Sequence, residues 1–389
     1  MLPSAHSKLQ PLAMVVAAAV LLPLAGSGQG ELKREGNTWS RTFTGSLTPQ
    51  NRLEIDSHGP VMLEAGAAGA LVYTVKLTVM APNEAEARRM LDRLAAINTF
   101  TKSGVTVLIA PSGRVQSTVS VRAPHLASAY LRTTEGGVDV RGIDGNLDVE
   151  AVGELHVDRV GGNCNLFTAA GDVSIGDIGG SLRCTSRAGR IGVKSVKGDA
   201  VLTTDGGDIE GGRMGGGVVA HTGGGTVHIV SAGGTVNLTT GGGELQVDKA
   251  NGPVIARNML GPVTISSAAA GVQCENASGG IRVSNITGPM RISTAMGSIL
   301  ANLTGSRIAD SLLATANGDI TVLIPSNVGL MIRAQNEMSD TMKRIVSDFP
   351  TVKPERQASR LVAMGPVNGG GPVLQIAAVS GTIYLKRQR

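Results

Sequence analysis

The chain has 389 residues, of which 54 are glycine and only eight are aromatic, and its formal net charge is +5. Glycine does not recur at every third residue, which excludes collagen. The low charge, without a basic cluster interleaved with aromatic residues, argues against a nucleic-acid partner. The scarcity of Trp and Tyr argues against a carbohydrate cleft built on aromatic platforms.

The first 28 residues have the pattern of a secretory signal peptide. Lys8 precedes an apolar run over residues 12–25, and the small residues Gly26 and Ser27 follow it. Such a run predicts a leader over residues 1–28 and is too short to span a bilayer. An uncleaved anchor is the alternative. We expect an exported mature chain in the periplasm, on the outer surface or secreted, with no transmembrane segment.

Residues 29–135 are expected to form a β-rich N-terminal cap with one helix at about 83–98. Alternating apolar residues predict strands at 53–55, 72–79, 105–109 and 115–121. Asn83 and Glu84 provide a polar cap and an acidic first turn for the helix. Its apolar stripe consists of Ala87, Met90, Leu91, Leu94 and Ile97.

An 18-residue repeat occupies the middle of the chain, and we assign residues 136–316 to it. Positions within a coil are counted from its first glycine, which is position 0. This glycine recurs without a slip at Gly153, Gly171, Gly189, Gly207, Gly225, Gly243, Gly261, Gly279 and Gly297. A fixed period of this kind predicts a solenoid, because one unit cannot bury its own apolar face.

Each repeat contains two short strands. Aliphatic residues predominate at positions 2 and 4 and again at positions 11 and 13, a period of two that is typical of strands. A second glycine near position 9 separates the two strands. The sequence therefore predicts an all-β fold, a right-handed parallel β-helix with 18-residue coils that is capped at both ends.

Two further features fit this coil. Short polar residues at position 15 are expected to hydrogen-bond the turn backbone. They are Thr168, Ser186, Thr204, Thr222, Thr240, Asn258, Asn276 and Thr294. Cys164, Cys184 and Cys274 occupy inward positions, where we expect them to replace aliphatic core residues rather than form disulfides or bind metal.

Residues 317–389 are expected to form a C-terminal β cap. It begins with a strand at 320–324 and contains a polar interruption over residues 335–360. Strands at 373–377 and 382–385 follow a glycine turn.

The chain resembles the bacterial putative-adhesin family over residues 36–389. The resemblance lies in the leader, the strand pair, the single helix and the glycine-aliphatic coils. It also includes the Ile-Pro break at 324–325, Asp348-Phe349-Pro350 and the closing run over residues 380–385. It implies a cell-envelope β-strand-repeat protein whose biochemical function is unknown, and it transfers no site residue.

The sequence carries no catalytic, cofactor-binding or metal motif that we can assign. Glu154 and Asp172, at position 1 of adjacent coils, leave open a polysaccharide-processing enzyme that uses paired carboxylates. His156 and His228 lie four coils apart, which excludes a shared metal ion. The aspartate of a calcium-binding β-roll does not recur, so we expect no calcium along the stack.

Three aliphatic residues stand at position 12, where the outer face should be polar: Val201, Val219 and Ile255. We interpret them as a possible interaction face, although a terminal cap folded over them would also explain them. The predicted function is a non-enzymatic envelope scaffold or adhesin. Its expected partner is a protein or glycan, with self-association as a further possibility.

Overall fold

The computed structural model describes residues 28–66, 69–94, 98–102, 104–110, 115–304, 308–338 and 344–388. The chain forms an all-β parallel solenoid of about 11 turns with coils of about 18 residues, which confirms the predicted fold class. Nearly all of the predicted leader, residues 1–27, lies outside the described residues. Within the described part, no helix reaches the length and apolarity needed to cross a membrane.

The N-terminal elements are β1 (Gly28–Gln29), β2 (Lys33–Glu35), β3 (Thr38–Leu47), β4 (Arg52–Ser57), β5 (Val61–Ala65), β6 (Leu71–Met80), α1 (Glu84–Leu94), β7 (Asn98–Lys102), β8 (Val105–Ile109) and β9 (Gln116–Ala123).

The central elements are β10 (Ser128–Thr133), β11 (Val138–Ile143), β12 (Asn146–Ala151), β13 (Leu155–Val160), β14 (Cys164–Thr168), β15 (Val173–Ile178), β16 (Leu182–Ser186), β17 (Ile191–Val196), β18 (Ala200–Thr204), β19 (Ile209–Met214), β20 (Val218–Thr222), β21 (Val227–Ala232), β22 (Val236–Thr240), β23 (Leu245–Ala250), β24 (Val254–Leu260), β25 (Val263–Ile265), β26 (Val272–Ser278), β27 (Ile281–Ser284), β28 (Met290–Met296), β29 (Ile299–Asn302), β30 (Ser311–Asn317) and β31 (Ile320–Ile324).

The C-terminal elements are β32 (Leu330–Asn336), β33 (Ile345–Ser347), β34 (Lys353–Gln357), β35 (Arg360–Val367), β36 (Val373–Ser380) and β37 (Ile383–Arg387).

The solenoid has two sides. In the central region each coil gives an odd-numbered strand to one sheet, sheet A, and an even-numbered strand to the other, sheet B. Neighbouring coils pair in parallel with a shift of 18 residues, so that Val218 lies beside Val236. Equivalent side chains therefore stack directly on one another, and the buried aliphatic residues form one continuous cluster.

Six positions of each coil point inward. Besides positions 2, 4, 11, 13 and 15, the residue at position 7 is buried, as Ile178, Val196 and Met214 show. Position 7 follows two consecutive outward residues, so the simple alternation that predicts the other core positions misses it. It closes the core at the end of each sheet A strand.

The glycine at position 0 is required because the coils approach closely there. A Cβ on Gly243 would lie 2.1 Å from the carbonyl oxygen of Gly225 in the coil before it. Gly189 has a φ of +108°, in the region that favours glycine. Sterics at this corner therefore explain why the series shows no slip.

The polar residues at position 15 form a buried ladder inside the same corner. Thr222 Oγ1 donates to the carbonyl oxygen of Gly207 at 2.8 Å, and Thr240 donates equivalently to Gly225 at 2.8 Å. Asn258 Nδ2 continues the ladder to Gly243 at 2.9 Å. The prediction that these side chains bond the turn backbone is confirmed, since they satisfy carbonyls that the corner would leave buried.

Stacking order departs from chain order at both ends. The β4–β5 coil lies between the later β8–β9 coil and the β10–β11 coil. At the other end, β36–β37 pairs with β30–β31 on one side and with β32 and β33 on the other. Antiparallel strands then extend the sheets outward, through β6 and β3 at the N-terminal end and β35 and β34 at the C-terminal end.

The predicted end strands all correspond to strands of the structure, with small shifts at their termini. Helix α1 spans Glu84–Leu94, and Asn98 belongs to β7 instead of the predicted helix 83–98. Residues 95–97 of that prediction, including Ile97, lie outside the described residues. The predicted polar interruption contains β33 and β34. Parallel pairing continues across residues 135 and 316, and the division of the chain at those points stays a prediction.

The three cysteines are buried in the core, as predicted, and carry free thiols. Cys164 lies beside Leu182 and Cys184 beside Leu166, so the first two cysteines are on adjacent coils but out of register. Burial raises the pKa of the Cys184 thiol and of the Cys274 thiol to about 12. Because the thiolate is the reactive form, all three are chemically protected.

Candidate interaction face

The outer face of sheet B carries two rows of outward side chains, at coil positions 12 and 14. In the first row Val201 lies beside Val219, Val219 beside Asn237, and Asn237 beside Ile255. The alignment expected for these three aliphatic residues is therefore present. Val201 and Val219 lie on adjacent parallel strands, one coil apart, and Ile255 lies two coils beyond Val219.

This row is open. The side chain of Val219 is 45% exposed, and Val201 and Ile255 are partly exposed. The end strands extend the two sheets along the rod axis, and no described element packs over Val219. A cap folded across this face, the alternative explanation for the row, is thus absent from the described residues.

The second row is mostly polar and partly paired. Arg257 Nε lies 3.7 Å from Glu275 Oε2 on the next coil, and Arg187 lies 5.9 Å from the centroid of the Phe167 ring. The Arg257–Glu275 contact is an exposed ion pair and contributes little to stability, and the Arg187–Phe167 contact is a cation–π contact. The apolar row is therefore the distinctive feature of the face.

The charge of the two rows changes from the N-terminal end of the face to its C-terminal end. The N-terminal strands β4 and β12 carry exposed or half-buried carboxylates, namely Glu54, Asp56, Asp148 and Glu150. On β10 between them, Tyr130 has a raised pKa, caused first by desolvation and then by Glu150. The C-terminal strands β28 and β32 carry the exposed Arg291 and Arg333. The exposed Arg52, Arg132 and Arg183 lie on the N-terminal half of the face, so its charge changes from a small excess of carboxylates at the N-terminal end to an excess of arginines at the C-terminal end.

A cavity of about 720 Å³ borders this face at the corner where the sheet B strands end. His221, Thr239 and Arg257 line it, and Met259 beside them is 64% exposed. Sequence reasoning missed this feature. The available signal was at positions 16 and 17, where Met259 and Leu260 replace the glycines of the two preceding coils.

The two carboxylates that a polysaccharide-processing enzyme would use lie on the outside of sheet A. Glu154 and Asp172 line a cavity of about 480 Å³, together with Asp139 and His156. Asp172 Oδ1 accepts the backbone N–H of Arg190 at 2.8 Å. Arg141 donates to both carboxylate oxygens of Asp139, at 3.0 and 2.7 Å.

Asp172 has a structural counterpart elsewhere. Asp208, at the same position of a later coil, accepts the N–H of Thr226 at 2.7 Å. Asp319 accepts the N–H of Thr382 at 2.8 Å across the C-terminal end. An aspartate at position 1 therefore caps the backbone of the next coil, which explains Asp172 without catalysis.

The histidines singled out in the sequence are not brought together. His156 stacks between Asp139 and Ser174, whereas His228 Nε2 lies 3.0 Å from Asp248. Among the described residues, no group of three or more His, Cys, Asp or Glu side chains could hold a metal ion.

Fold and surface together define a two-sided parallel β-solenoid with an open, partly apolar sheet face. No protein-family model matches the chain, and no curated protein does. Among solved structures, it is similar to a putative adhesin from Bacteroides fragilis at 12% identity and a TM-score of 0.25, covering 66% of this chain and 95% of that one.

The chain is also similar to two other solved structures. One is a putative lipid binding protein from Parabacteroides distasonis, with 11% identity, a TM-score of 0.27 and coverage of 74% of this chain and 98% of that one. The other is a putative cell adhesion protein from Clostridium sporogenes, with 8% identity, a TM-score of 0.15 and coverage of 89% and 99%.

Proposed function

We propose that this chain is an exported, non-enzymatic interaction scaffold of the cell envelope, an adhesin-like protein that binds another protein or a glycan through the outer face of sheet B. The observation that carries this proposal is the exposed Val219, in register with Val201 and two strands from Ile255. Aliphatic side chains aligned on an open, rigid face favour contact with a partner.

The chemistry of the thiols supports export. An exported chain meets oxidising conditions, in which an exposed cysteine would form unwanted disulfides. Here all three thiols are buried, and burial raises the pKa of each. The leader pattern over residues 1–28 supports the same location.

Binding is tested with the purified mature chain and the variant Val219→Lys. Isolated envelope fractions and a glycan array are the probes, and Thr321→Lys on the outside of sheet A is the matched control. We expect Val219→Lys to keep its melting temperature and lose binding, because a lysine introduces a hydrated charge into the apolar row. Equal binding by all three proteins would contradict the proposal, and so would a collapse of stability in Val219→Lys alone.

The enzymatic alternative is tested on the same preparations. Uronate-containing and neutral polysaccharides are incubated with the protein, and new reducing ends and unsaturated uronates are measured. We expect no turnover above that of the heat-denatured protein. Turnover that disappears in Glu154→Gln and persists in Asp208→Asn would establish paired-carboxylate catalysis and overturn the proposal.

Export is tested separately by expressing the whole chain in a bacterium and sequencing the N-terminus of the recovered protein. We expect the mature chain to begin after residue 28 or within a residue or two of it. Recovery from the cytoplasm with Met1 intact would contradict the proposed location.

A further inference from the structure

We propose that the outer face of sheet B binds a second copy of this chain in an antiparallel dimer, with the two-fold axis running along the strands between β20 and β22. The inference rests on the face named in the proposed function and commits that face to one partner. It depends on the charge gradient, the stacking order and the position of the apolar row.

The charge gradient makes the face complementary to itself when reversed. At the N-terminal end, the four carboxylates Glu54, Asp56, Asp148 and Glu150 outnumber the two arginines Arg52 and Arg132. At the C-terminal end, Arg291 and Arg333 have no carboxylate partner in the described part of the chain, and the nearby Asp310 accepts the backbone N–H of Val373. Antiparallel copies place acid against base, whereas parallel copies place acid against acid.

The stacking order places the apolar row at the centre of the face. Nine strands of sheet B lie on each side of the midpoint between β20 and β22, and the seventh strand from the midpoint is β4 on one side and β32 on the other. Strand β32 is the seventh strand because β36 is inserted between β30 and β32. Both ends of the face are therefore equally far from the proposed axis.

A two-fold axis at this midpoint brings aliphatic residues of the first row together near its centre and opposite charges together at each end. Val201 of one copy meets Ile255 of the other, and Val219 meets Asn237. Farther out, Arg291 comes opposite Asn165, which lies between Asp148 and Arg183, and Asp148 comes opposite Leu312. At the ends, Glu54 meets Arg333.

No pairing in the second row opposes this arrangement. Arg257 comes opposite Thr203, Glu275 opposite Thr185, and Glu150 opposite Ala314. In an isologous contact each residue pair occurs twice, so its favourable or unfavourable interaction energy is doubled. The face thus contains no like-charge pair directly across the axis.

The size of the face predicts a weak dimer. Strands about 4.8 Å apart across this face make a contact roughly 60 Å long and about 10 Å wide, or on the order of 600 Å² per copy. This is at the lower end of specific interfaces, which bury about 1,200 Å² in total or more. We therefore expect dissociation in the micromolar range and a marked dependence on salt.

Sedimentation equilibrium of the purified mature chain tests the dimer, at concentrations from about 1 to about 200 μM. We expect a dimer that weakens as salt rises from about 50 mM to about 500 mM. The single variants Glu54→Arg and Arg333→Glu should each weaken it by about tenfold or more, since each creates two like-charge contacts. Arg282→Glu, on the exposed outside of sheet A, is the matched control and should not change it.

The decisive sample is an equimolar mixture of the two single variants. In the mixed dimer, the arginine introduced by Glu54→Arg in one copy faces the glutamate introduced by Arg333→Glu in the other. The remaining wild-type pair is intact, so the mixture should recover wild-type affinity. A monomer at every concentration, or a mixture no tighter than either variant alone, would overturn the proposal. Loss of envelope binding in Val219→Lys from a monomeric wild type would leave the proposed function standing and refute only the dimer.

Discussion

The repeat and the two ends of the rod are built from the same coil by different rules. In the repeat, each coil pairs with the coil before it and the coil after it, at a constant shift of 18 residues from β13 to β29, with 17 residues between β11 and β13 and 21 between β29 and β31. At the ends, a coil is inserted between two others, as β36–β37 is between β31 and β33 in sheet A. Local spacing therefore specifies the repeat, whereas long-range pairing specifies the ends.

The largest effect expected from this difference is the loss of the inserted C-terminal coil. A chain that stops after Pro372 lacks β36 and β37, so β30, β31, β32 and β33 all lose a partner strand. Exposed strand edges promote aggregation. We expect insoluble protein or soluble aggregates in size-exclusion chromatography.

A chain that stops after Arg387 keeps β37 and is the control. It should elute as the full-length protein does. If both truncated chains elute alike and melt cooperatively, the inserted coil does not hold the end together.

A smaller effect is expected from a cavity in the column. Leu238 is fully buried between the coils of β20 and β24, so Leu238→Ala should reduce the free energy of unfolding by about 2–5 kcal/mol. Thr239→Ala, outward on the same strand, should change it by less than about 0.5 kcal/mol. Urea unfolding followed by far-UV circular dichroism measures both, and equal effects would show that the column is not the core.

The polar ladder should respond in a position-specific way. Thr240→Val removes the donor to the Gly225 carbonyl and leaves a buried acceptor unpaired, which costs about 1–3 kcal/mol. Asn258 has a buried Oδ1 without a partner, so Asn258→Thr removes an unsatisfied atom while restoring the residue type common in the ladder.

We expect Asn258→Thr to be neutral or stabilising in the same urea experiment. A loss of more than about 1 kcal/mol in Asn258→Thr would mean that the second donor bond of its amide, to Gly261, matters more than the orphan oxygen.

The smallest effect is a loss of stability at high pH. Burial raises the pKa of Cys184 and Cys274 from 9.0 to about 12, so the folded state holds these protons after the unfolded state has released them. The stability due to the two thiols is complete below about pH 9 and decreases as pH rises towards 12. Near pH 9.5 the loss is on the order of 1 kcal/mol per thiol.

The double variant Cys184→Ala and Cys274→Ala should therefore show a flatter decline between pH 8 and about 9.5 in urea unfolding. An unchanged slope would contradict the effect of burial. Thiol labelling at pH 8 adds a check, because the native wild-type cysteines should react only as the protein unfolds.

The sequence predicted the repeat well because one steric requirement recurs in every coil. A Cβ on Gly243 would lie 2.1 Å from the carbonyl oxygen of Gly225, so only glycine fits there, and the strands follow at fixed distances along the chain. The residue at position 7, such as Val196, was missed because two outward residues before it break the period of two.

The ends and the surface were less predictable for physical reasons. The sequences of β32 and β36 both predict strands. Neither sequence predicts that β36, rather than β32, pairs with β30. The row of Val201, Val219 and Ile255 could be aligned from spacing alone, whereas its exposure depends on where the caps lie. The charge gradient of sheet B was likewise hidden, since it brings residues of β4 and β32 into one row.

The central claim is that identical coils stack at a fixed register around one continuous core, and a deletion tests it most directly. Removing residues 225–242 takes out one whole coil and joins Gly224 to Gly243, so every remaining side chain keeps its direction. We predict a soluble rod, shorter by about 4.8 Å, that unfolds cooperatively. Removing only residues 225–231 turns the following side chains out of register and should abolish folding. If both deletions unfold the protein to the same extent, the coils do not stack independently and the account is wrong.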